Sequence, residues 1–596
     1  MAVPADKNLS RLLAIGLADA ASASASLYLE LRRLEASPGQ AVELRLQLAS
    51  ELARRGRLPL ARGIAEPLSS RAAEAADSRP FELLGDIAYL SGRLAESEAA
   101  YGKALTFNLG QPMVLTKLAT TLRVMGRLGE AATAAREAAN RFPEHVPAYG
   151  VLGAVHRARG EIEESLAALE IARELDPRQP AYTSAWIVTH AYLPHAGDAE
   201  MLAAGREWER AHRQLSPGSP PPLASVPAAE GRRLRVGYLS PDFRRHSVAW
   251  FFLPLLENHD RSRVDTFCYY LVPNFDDVTR RVAAAAGHWR LVAGMRDAEI
   301  ASLIRRDRID VLVDLAGHFG ECRPGVFYHR PAPVQVHHAG FCATTGMSVL
   351  DARLSDATVD PVAGHRPDSA ERIIHLASGM HCYSPLDPLP PVAPAPALKN
   401  GFVTFGSFNN FPKINKNVLD AWAQILARTP HSRLVIKSQG MTDAYLREKI
   451  TTLFAMRGVA AERLDLMPFA TKHASHLAAY DGIDIHLDAF PYNGVTTTCD
   501  ALWAGVPVLT VRGACHRGRI GESILRRAGE ASAVADDTGD YVRRAIAWAG
   551  DVRRLAAERG ERRARVAASP VGDGAAHARS MEDALEKCHA EAATGG

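Results

Sequence analysis

Four glycines, Gly56, Gly92, Gly126 and Gly160, follow one another at intervals of 36, 34 and 34 residues. Each opens a similar stretch: "GRLPLARGIAEPL", "GRLAESEAAYGKAL", "GRLGEAATAAREAA" and "GEIEESLAALEIAREL". Thirty-four residues is the tetratricopeptide period, a helix–turn–helix unit with a small residue at its turn. One such unit cannot bury its own apolar face, so the units must stack into a solenoid. Pro143 and Pro177 close two of the units in the same register. A plain Ala-rich helical bundle would account for the Ala, Leu, Glu and Arg content of this third of the chain. It would not place four turn glycines in step. Residues 1–214 are therefore expected to form a repeat arm whose concave face binds a peptide or a protein partner, with no chemistry of its own.

The pattern then changes twice. Residues 215–230, "SPGSPPPLASVPAAEG", read as a linker. From 231 to 382, apolar strands alternate with helices: "LRVGYLSPDF", "RVDTFCYYLV", "IASLIRRDRIDVLVDLAGH" and "APVQVHHAGF". Residues 383–400, "YSPLDPLPPVAPAPALKN", carry six prolines and read as a connector. The alternation restarts over 401–596 with "FVTFGSFNN", "NKNVLDAWAQILART", "SRLVIKS", "RLDLMPF", "GIDIHLDAF", "GVPVLTV" and "GRIGESILRRAG", and ends in helices and a flexible Gly-Gly tail. Strands in alternation with helices imply parallel, doubly wound sheets. The expected fold class is α + α/β: a helical repeat array followed by two Rossmann-like halves, with a ligand cleft between them.

Composition narrows the function. A chain of 596 residues allows three or four domains. With a formal net charge of +3, nothing marks it as a nucleic-acid binder. Its 7 cysteines include no C-x-x-C pair, which argues against a zinc ribbon or a disulfide framework and for a reducing compartment. No apolar run reaches the ~18 residues of a membrane span. The N-terminal stretch reads as a helix rather than a signal peptide. A soluble, cytoplasmic protein is the default expectation.

The segment "DAFPYNGVTTTCDALWAGVPV", Asp488 to Val508, ends a strand, turns at Asn493-Gly494, and sets three threonines before an apolar helix. Adjacent β-branched hydroxyl residues suit a helix start, where free N–H groups hold an anion, better than a helix interior. An N-capped structural helix is the plainer reading. What favours a site is the company: "FNNFPK" also follows a strand, with Asn409 and Asn410 as amide donors and Lys413 as a cation able to neutralise a leaving phosphate. "SPDFRRHSV" supplies Asp242 and His246 in the first loop of the first half, with His246 suited to general-base work. "DLAGH" repeats the Asp–His pattern at Asp314 and His318, and His476 lies upstream of the Asp488 strand. No Gly-rich mononucleotide or dinucleotide fingerprint and no metal-type cluster occurs, so neither a metal nor a cofactor is expected.

Together "SPDFRRHSV", "DLAGH", "RPAPVQV", "FNNFPKI" and "LDAFPYNGVTTTCDALWAGVPV" resemble the O-GlcNAc-transferase and SPINDLY-like glycosyltransferases, over about residues 50 to 530. The resemblance implies a GT-B fold, a nucleotide-sugar donor, no metal, and transfer to Ser or Thr of a protein held by the repeats. By position it implies that His246, near Asp242, is the base or acceptor-site residue, and that Lys413 binds the donor phosphates beside Asn410. It implies that Thr496 and Thr497 form the phosphate-binding helix start, Asp500 binds the ribose, and His476 meets the nucleoside; His318 is grouped with these donor-binding residues. Val495 stands where the animal enzymes have a histidine, Ala479 where they have an arginine, and "VHHAGFCATTG" where they have an aromatic loop. These departures lie at the base and sugar, not the phosphate, and weigh against UDP-GlcNAc. The layout is similar to that of alphaproteobacterial flagellin-modifying glycosyltransferases, which implies flagellin as acceptor and a nonulosonic acid of the pseudaminic type, from a CMP donor. The alternatives are a UDP-GlcNAc-dependent O-GlcNAc transferase acting on other proteins, a non-catalytic repeat-array adaptor, and a small-molecule sugar transferase or epimerase.

Overall fold

Gly56, Gly92, Gly126 and Gly160 all take left-handed backbone conformations, with φ of 78°, 72°, 81° and 69°. Only glycine enters that region without steric cost, so the repeating glycine is a repeating turn. The computed structural model describes residues 38–108, 110–212, 232–468 and 473–593, with isolated positions before 38. The expected linker 215–230, most of the stretch expected as an N-terminal helix and the Gly-Gly tail lie outside the described residues.

The chain divides into two compact units. One comprises Met1–Val155, Tyr270–Asp276 and Leu291–Met295, and the other His156–Tyr269, Asp277–Arg290 and Arg296–Gly596. In the first, α1 (Pro38–Arg54), α2 (Leu58–Ala75), α3 (Arg79–Leu90), α4 (Leu94–Phe107), α5 (Pro112–Val124), α6 (Leu128–Arg141) and most of α7 (Val146–Ala158) make helical hairpins. Proline begins α3 and α5 near their first positions, where no N–H is needed. Small residues set the helix spacing: a Cβ on Gly85 would lie 2.4 Å from the Tyr101 ring. Tyr101 donates its hydroxyl to Asp86 at 2.7 Å, and Lys117 bridges Glu82 and Asp86 at 2.7 and 2.8 Å.

The second unit opens with α8 (Ile162–Leu175), α9 (Pro180–His190) and α10 (Asp198–His212). A sheet of order β3-β2-β1-β4-β5-β6-β7 follows. Its strands are β1 (Leu234–Ser240), β2 (Val264–Tyr270), β3 (His288–Leu291), β4 (Val311–Asp314), β5 (Val334–His338), β6 (Ala352–Ser355) and β7 (Arg372–His375). The second sheet, of order β10-β9-β8-β11-β12-β13, contains β8 (Thr404–Ser407), β9 (Arg433–Ser438), β10 (Leu464–Pro468), β11 (Ile485–Leu487), β12 (Val508–Val511) and β13 (Val534–Ala535). All its pairings are parallel, as are β1–β4, β4–β5, β5–β6 and β6–β7. This is a helical array followed by a GT-B-like pair of Rossmann-like sheets. Strands β3, β6, β7 and β13 are short and went unread in the sequence; "ARLS" and "RIIH" each carry an arginine in a four-residue run.

Two contacts settle how the pieces of this unit meet. Helix α10 lies against the loop after β5, because a Cβ on Gly205 would come within 2.5 Å of the Thr345 carbonyl oxygen. The last helix, Gly574–Ala593, returns to the first half: Glu582 accepts from His259 at 2.8 Å with both side chains fully buried.

Candidate active site

Strand β11 ends at Leu487, and the next residue, Asp488, is wholly buried. Its Oδ1 accepts from the backbone N–H groups of Ala489 and Gly494 at 2.9 and 2.7 Å and from Asn409 Nδ2 at 3.1 Å. Its Oδ2 accepts from Thr510 at 2.8 Å. Burial raises the Asp488 pKa, and these donors, with Lys413, pull against it. The carboxylate thus organises the loop rather than a ligand. It draws the Pro-Tyr-Asn-Gly turn back over the strand end and delivers the helix Thr496–Trp503 to the carboxyl edge of the sheet. Thr498 turns inward to the Gly494 carbonyl at 3.1 Å, while Thr496 and Thr497 stay half-exposed at the helix start. Asn409 receives the Thr497 hydroxyl at 3.2 Å, tying the β8 loop to the threonines.

Lys413 joins the same cluster. Its Nζ donates to the Asn493 carbonyl at 2.7 Å and stands 4.0 Å from the centre of the Tyr492 ring. Burial lowers its pKa, with Cys342 and Asp488 opposing. An ammonium held by one carbonyl and a ring face keeps one N–H group to offer an anion. Cys342, in the loop after β5, hydrogen-bonds Tyr492, so the first half also reaches this loop.

One turn into the threonine helix, Asp500 is buried, with its Oδ2 at 3.2 Å from His476 Nε2 and its Oδ1 accepting the Tyr383 hydroxyl. The other His476 nitrogen accepts from Lys437 on β9. His476 and Asp500 are among the residues expected from the sequence, and Lys437 and Tyr383 are not. A lysine inside the apolar run "RLVIKS" was the available signal.

In the first half, Asp242 is buried and His246 caps the helix Ser247–Asn258. His246 Nδ1 lies 3.4 Å from Asp242 Oδ1 and 3.4 Å from the Val248 N–H. These contacts demand opposite tautomers. A proton on Nδ1 given to Asp242 leaves Nε2 free to act as a base, whereas accepting from Val248 makes Nε2 a donor. Burial lowers the His246 pKa, Asp242 raises it and Arg244 adds to the lowering, so the ring stays neutral at neutral pH.

The remaining expected residues fall differently. Asn410 is exposed and its side chain hydrogen-bonds Tyr192, whereas its neighbour Asn409 is the buried amide of the cluster. His318 is 2% exposed, with Nε2 at 2.7 Å from the Thr345 carbonyl and Nδ1 at 3.2 Å from the Ser184 hydroxyl. Both its nitrogens are committed inside the protein, and burial lowers its pKa to about 4. Asp314 resembles Asp488, holding the loop after β4 through the N–H groups of Ala316 and Gly317 at 3.0 and 2.9 Å.

Residues 222–381 and 395–581 match the family described as glycosyl transferase family 41. The chain belongs to glycosyl transferase family 41. The family 41 match covers both sheets and breaks only across the proline-rich connector. The chain is similar to the tomato (Solanum lycopersicum) protein named probable UDP-N-acetylglucosamine–peptide N-acetylglucosaminyltransferase SPINDLY, at 38% identity over 396 residues, covering 66% of this chain and 42% of the relative. Similarity to the Arabidopsis thaliana protein of the same name is 37% over 401 residues, covering 66% and 43%. The chain therefore spans less than half the length of these curated relatives. Among solved structures, a mutant of the O-GlcNAc transferase of Thermobaculum terrenum aligns with a TM-score of 0.82 and 34% identity, over 87% of this chain and 99% of that one.

Proposed function

We propose that this family 41 protein is a protein O-glycosyltransferase that moves a sugar from a nucleotide donor to Ser or Thr of an acceptor held by the helical repeats. The observation that carries this reading is the convergence of Lys413, Asn409 and the half-exposed Thr496 and Thr497 on one strand-end loop. Ammonium, hydroxyls and helix N–H groups there form a seat for a phosphate that gains charge as it leaves, with the buried Asn409 amide holding Thr497 in place. In the proposed step the acceptor hydroxyl oxygen attacks the anomeric carbon. The bond from that carbon to the phosphate oxygen breaks, and its electrons leave with the phosphate. The proton passes to His246 or to a donor phosphate oxygen. Lys413, Thr496 and Thr497 take the phosphate, with Asn410 at the edge of the seat; His476 and Asp500 take the nucleoside, and His318 is a wall only.

We place flagellin as the acceptor and a nonulosonic acid of the pseudaminic type as the sugar, on the similarity of layout to flagellin-modifying enzymes and on the departures at Val495, Ala479 and the Val336–Gly346 loop. The second reading is UDP-GlcNAc transfer to other proteins, favoured by the names that the similar SPINDLY proteins and the aligned O-GlcNAc transferase carry. Intact mass of flagellin from cells with and without the gene tests the choice. Loss of mass in multiples of a nonulosonic acid supports the first reading, loss in multiples of N-acetylhexosamine supports GlcNAc on flagellin, and an unchanged mass moves the acceptor elsewhere.

A further inference from the structure

Lys437 sits on β9 with 2% of its surface exposed, directly after the buried apolar run Leu434, Val435 and Ile436. An apolar side chain would suit that place, so packing alone does not explain an ammonium there. Its Nζ donates to His476 Nδ1. An ammonium has donors and no acceptor, and a ring nitrogen that accepts carries no proton. Neutral His476 therefore bears its proton on Nε2, which points at Asp500 Oδ2 at 3.2 Å. Asp500 Oδ1 accepts the Tyr383 hydroxyl in turn. The protons are thereby ordered along four side chains from four separate segments of the chain.

We propose that Lys437 is a positioning residue for the donor, holding His476 as the Nε2–H tautomer and through it fixing the Asp500 carboxylate in the nucleoside seat. The inference rests on the proposed donor role of His476 and Asp500. Phe408 and Tyr480 enclose the arrangement: Lys437 Nζ is 5.2 Å from the Phe408 ring centre, Phe408 is 4.5 Å from Tyr480, and Tyr480 meets the His476 ring edge-on at 5.7 Å. With both nitrogens engaged, His476 can meet a nucleoside only through its ring face or C–H edge. It supplies contact area and orientation, and base selection by a His476 hydrogen bond is excluded. Burial draws Lys437 down to about 8, with Asp500 opposing. The positive charge behind the seat is therefore lost in mildly alkaline solution.

The experiment uses the full chain, with calorimetric binding of CMP and UDP from pH 6.5 to 9.5, and nitrogen NMR of histidine-labelled protein with a His476→Phe variant to assign the ring. Wild type is expected to bind one nucleotide with constant affinity below pH 7.5 and with affinity falling several-fold above pH 8. Lys437→Met should bind about tenfold more weakly at pH 7, with no alkaline fall, and should shift the His476 Nδ1 signal, because that nitrogen loses its donor. Lys437→Arg, charged throughout, should recover binding and abolish the alkaline fall. If Lys437→Met folds and binds like wild type with the same pH dependence, or keeps the wild-type Nδ1 signal, the proposal is overturned. If wild type binds neither nucleotide, the donor reading of the site fails by itself. The NMR comparison then decides the tautomer role of Lys437 alone, its unchanged signal overturning that role. Should the arginine variant fail to fold, the methionine variant and the NMR signal carry the same decision.

Discussion

Asn409 and Asp488 meet side chain to side chain at 3.1 Å across 79 residues of sequence. The parallel register of β8 and β11, pairing Phe405 with Ile485 and Gly406 with His486, brings the two strand ends level. Each residue lies just beyond its strand. The contact therefore converts sheet register into the geometry of two loops, one with Lys413 and the other with the threonines.

Asp488→Ala would strip one acceptor from two backbone N–H groups, Asn409 and Thr510. Each buried donor left unsatisfied costs about 1–3 kcal/mol, so the loop should detach rather than relax in place. Hydrogen exchange should show lost protection over residues 489–498, with β8 and β12 protected as before. Unchanged protection would mean that the carboxylate does not hold the loop.

Lys413→Ala should lower the turnover of sugar transfer at least ~100-fold, the usual scale for removing one group that stabilises developing charge. Burial already disfavours the Lys413 ammonium, which offsets its lost bond to the Asn493 carbonyl, worth about 1 kcal/mol, so the melting temperature should change by no more than a few degrees. Transfer assays beside thermal melts check both statements, and an active Lys413→Ala enzyme would refute the site assignment.

The two 3.4 Å contacts of His246 Nδ1 make Asp242 a switch for its tautomer. If His246 is the base, Asp242→Asn should cut kcat about 10- to 100-fold with little change in donor KM. The direction of the His246 shift fixes the sign of the acid limb: protonation of the base should occur below the ordinary imidazole pKa, so activity should hold as pH falls to about 6.5 and decline only below it. A rate profile across pH 5 to 8 tests this, and a decline already complete at pH 7 would contradict it.

Glu161 is paired with His156 at 2.7 Å, Tyr445 at 3.0 Å and Lys449 at 3.1 Å, joining the start of α8 to the helix Ala444–Ala455. Burial opposes its ionisation, but His156, Lys449 and Tyr445 outweigh that and hold the carboxyl at about 2. A depressed carboxyl pKa contributes stability above the unfolded value of ~4.3, and that contribution is lost as pH falls towards the folded value. Glu161→Gln should therefore lower the melting temperature by roughly 2–5 °C at pH 7. The gap to wild type should narrow below pH 4. A gap that is constant with pH would show that the charge on Glu161 is not what matters.

By itself the sequence determined what repeats locally. Four glycines in step required four left-handed turns, and alternating apolar strands and helices required parallel sheets, because both are properties of short segments. The same holds for the start of a helix at the three threonines, which the structure places at Thr496. Partnership was decided only in three dimensions. Asn409 and Asn410 are adjacent and chemically identical, and nothing local separates them; the register of β8 against β11 makes Asn409 the buried amide and leaves Asn410 exposed. His318 looked like a site residue in the sequence, yet α9 and the loop after β5 occupy both its nitrogens. Lys437 and Tyr383 were silent because a side chain's proton partners come from segments remote in the chain. Short strands such as β6 and β7 are stabilised by their neighbours, so their four residues carry too little periodic signal to announce them.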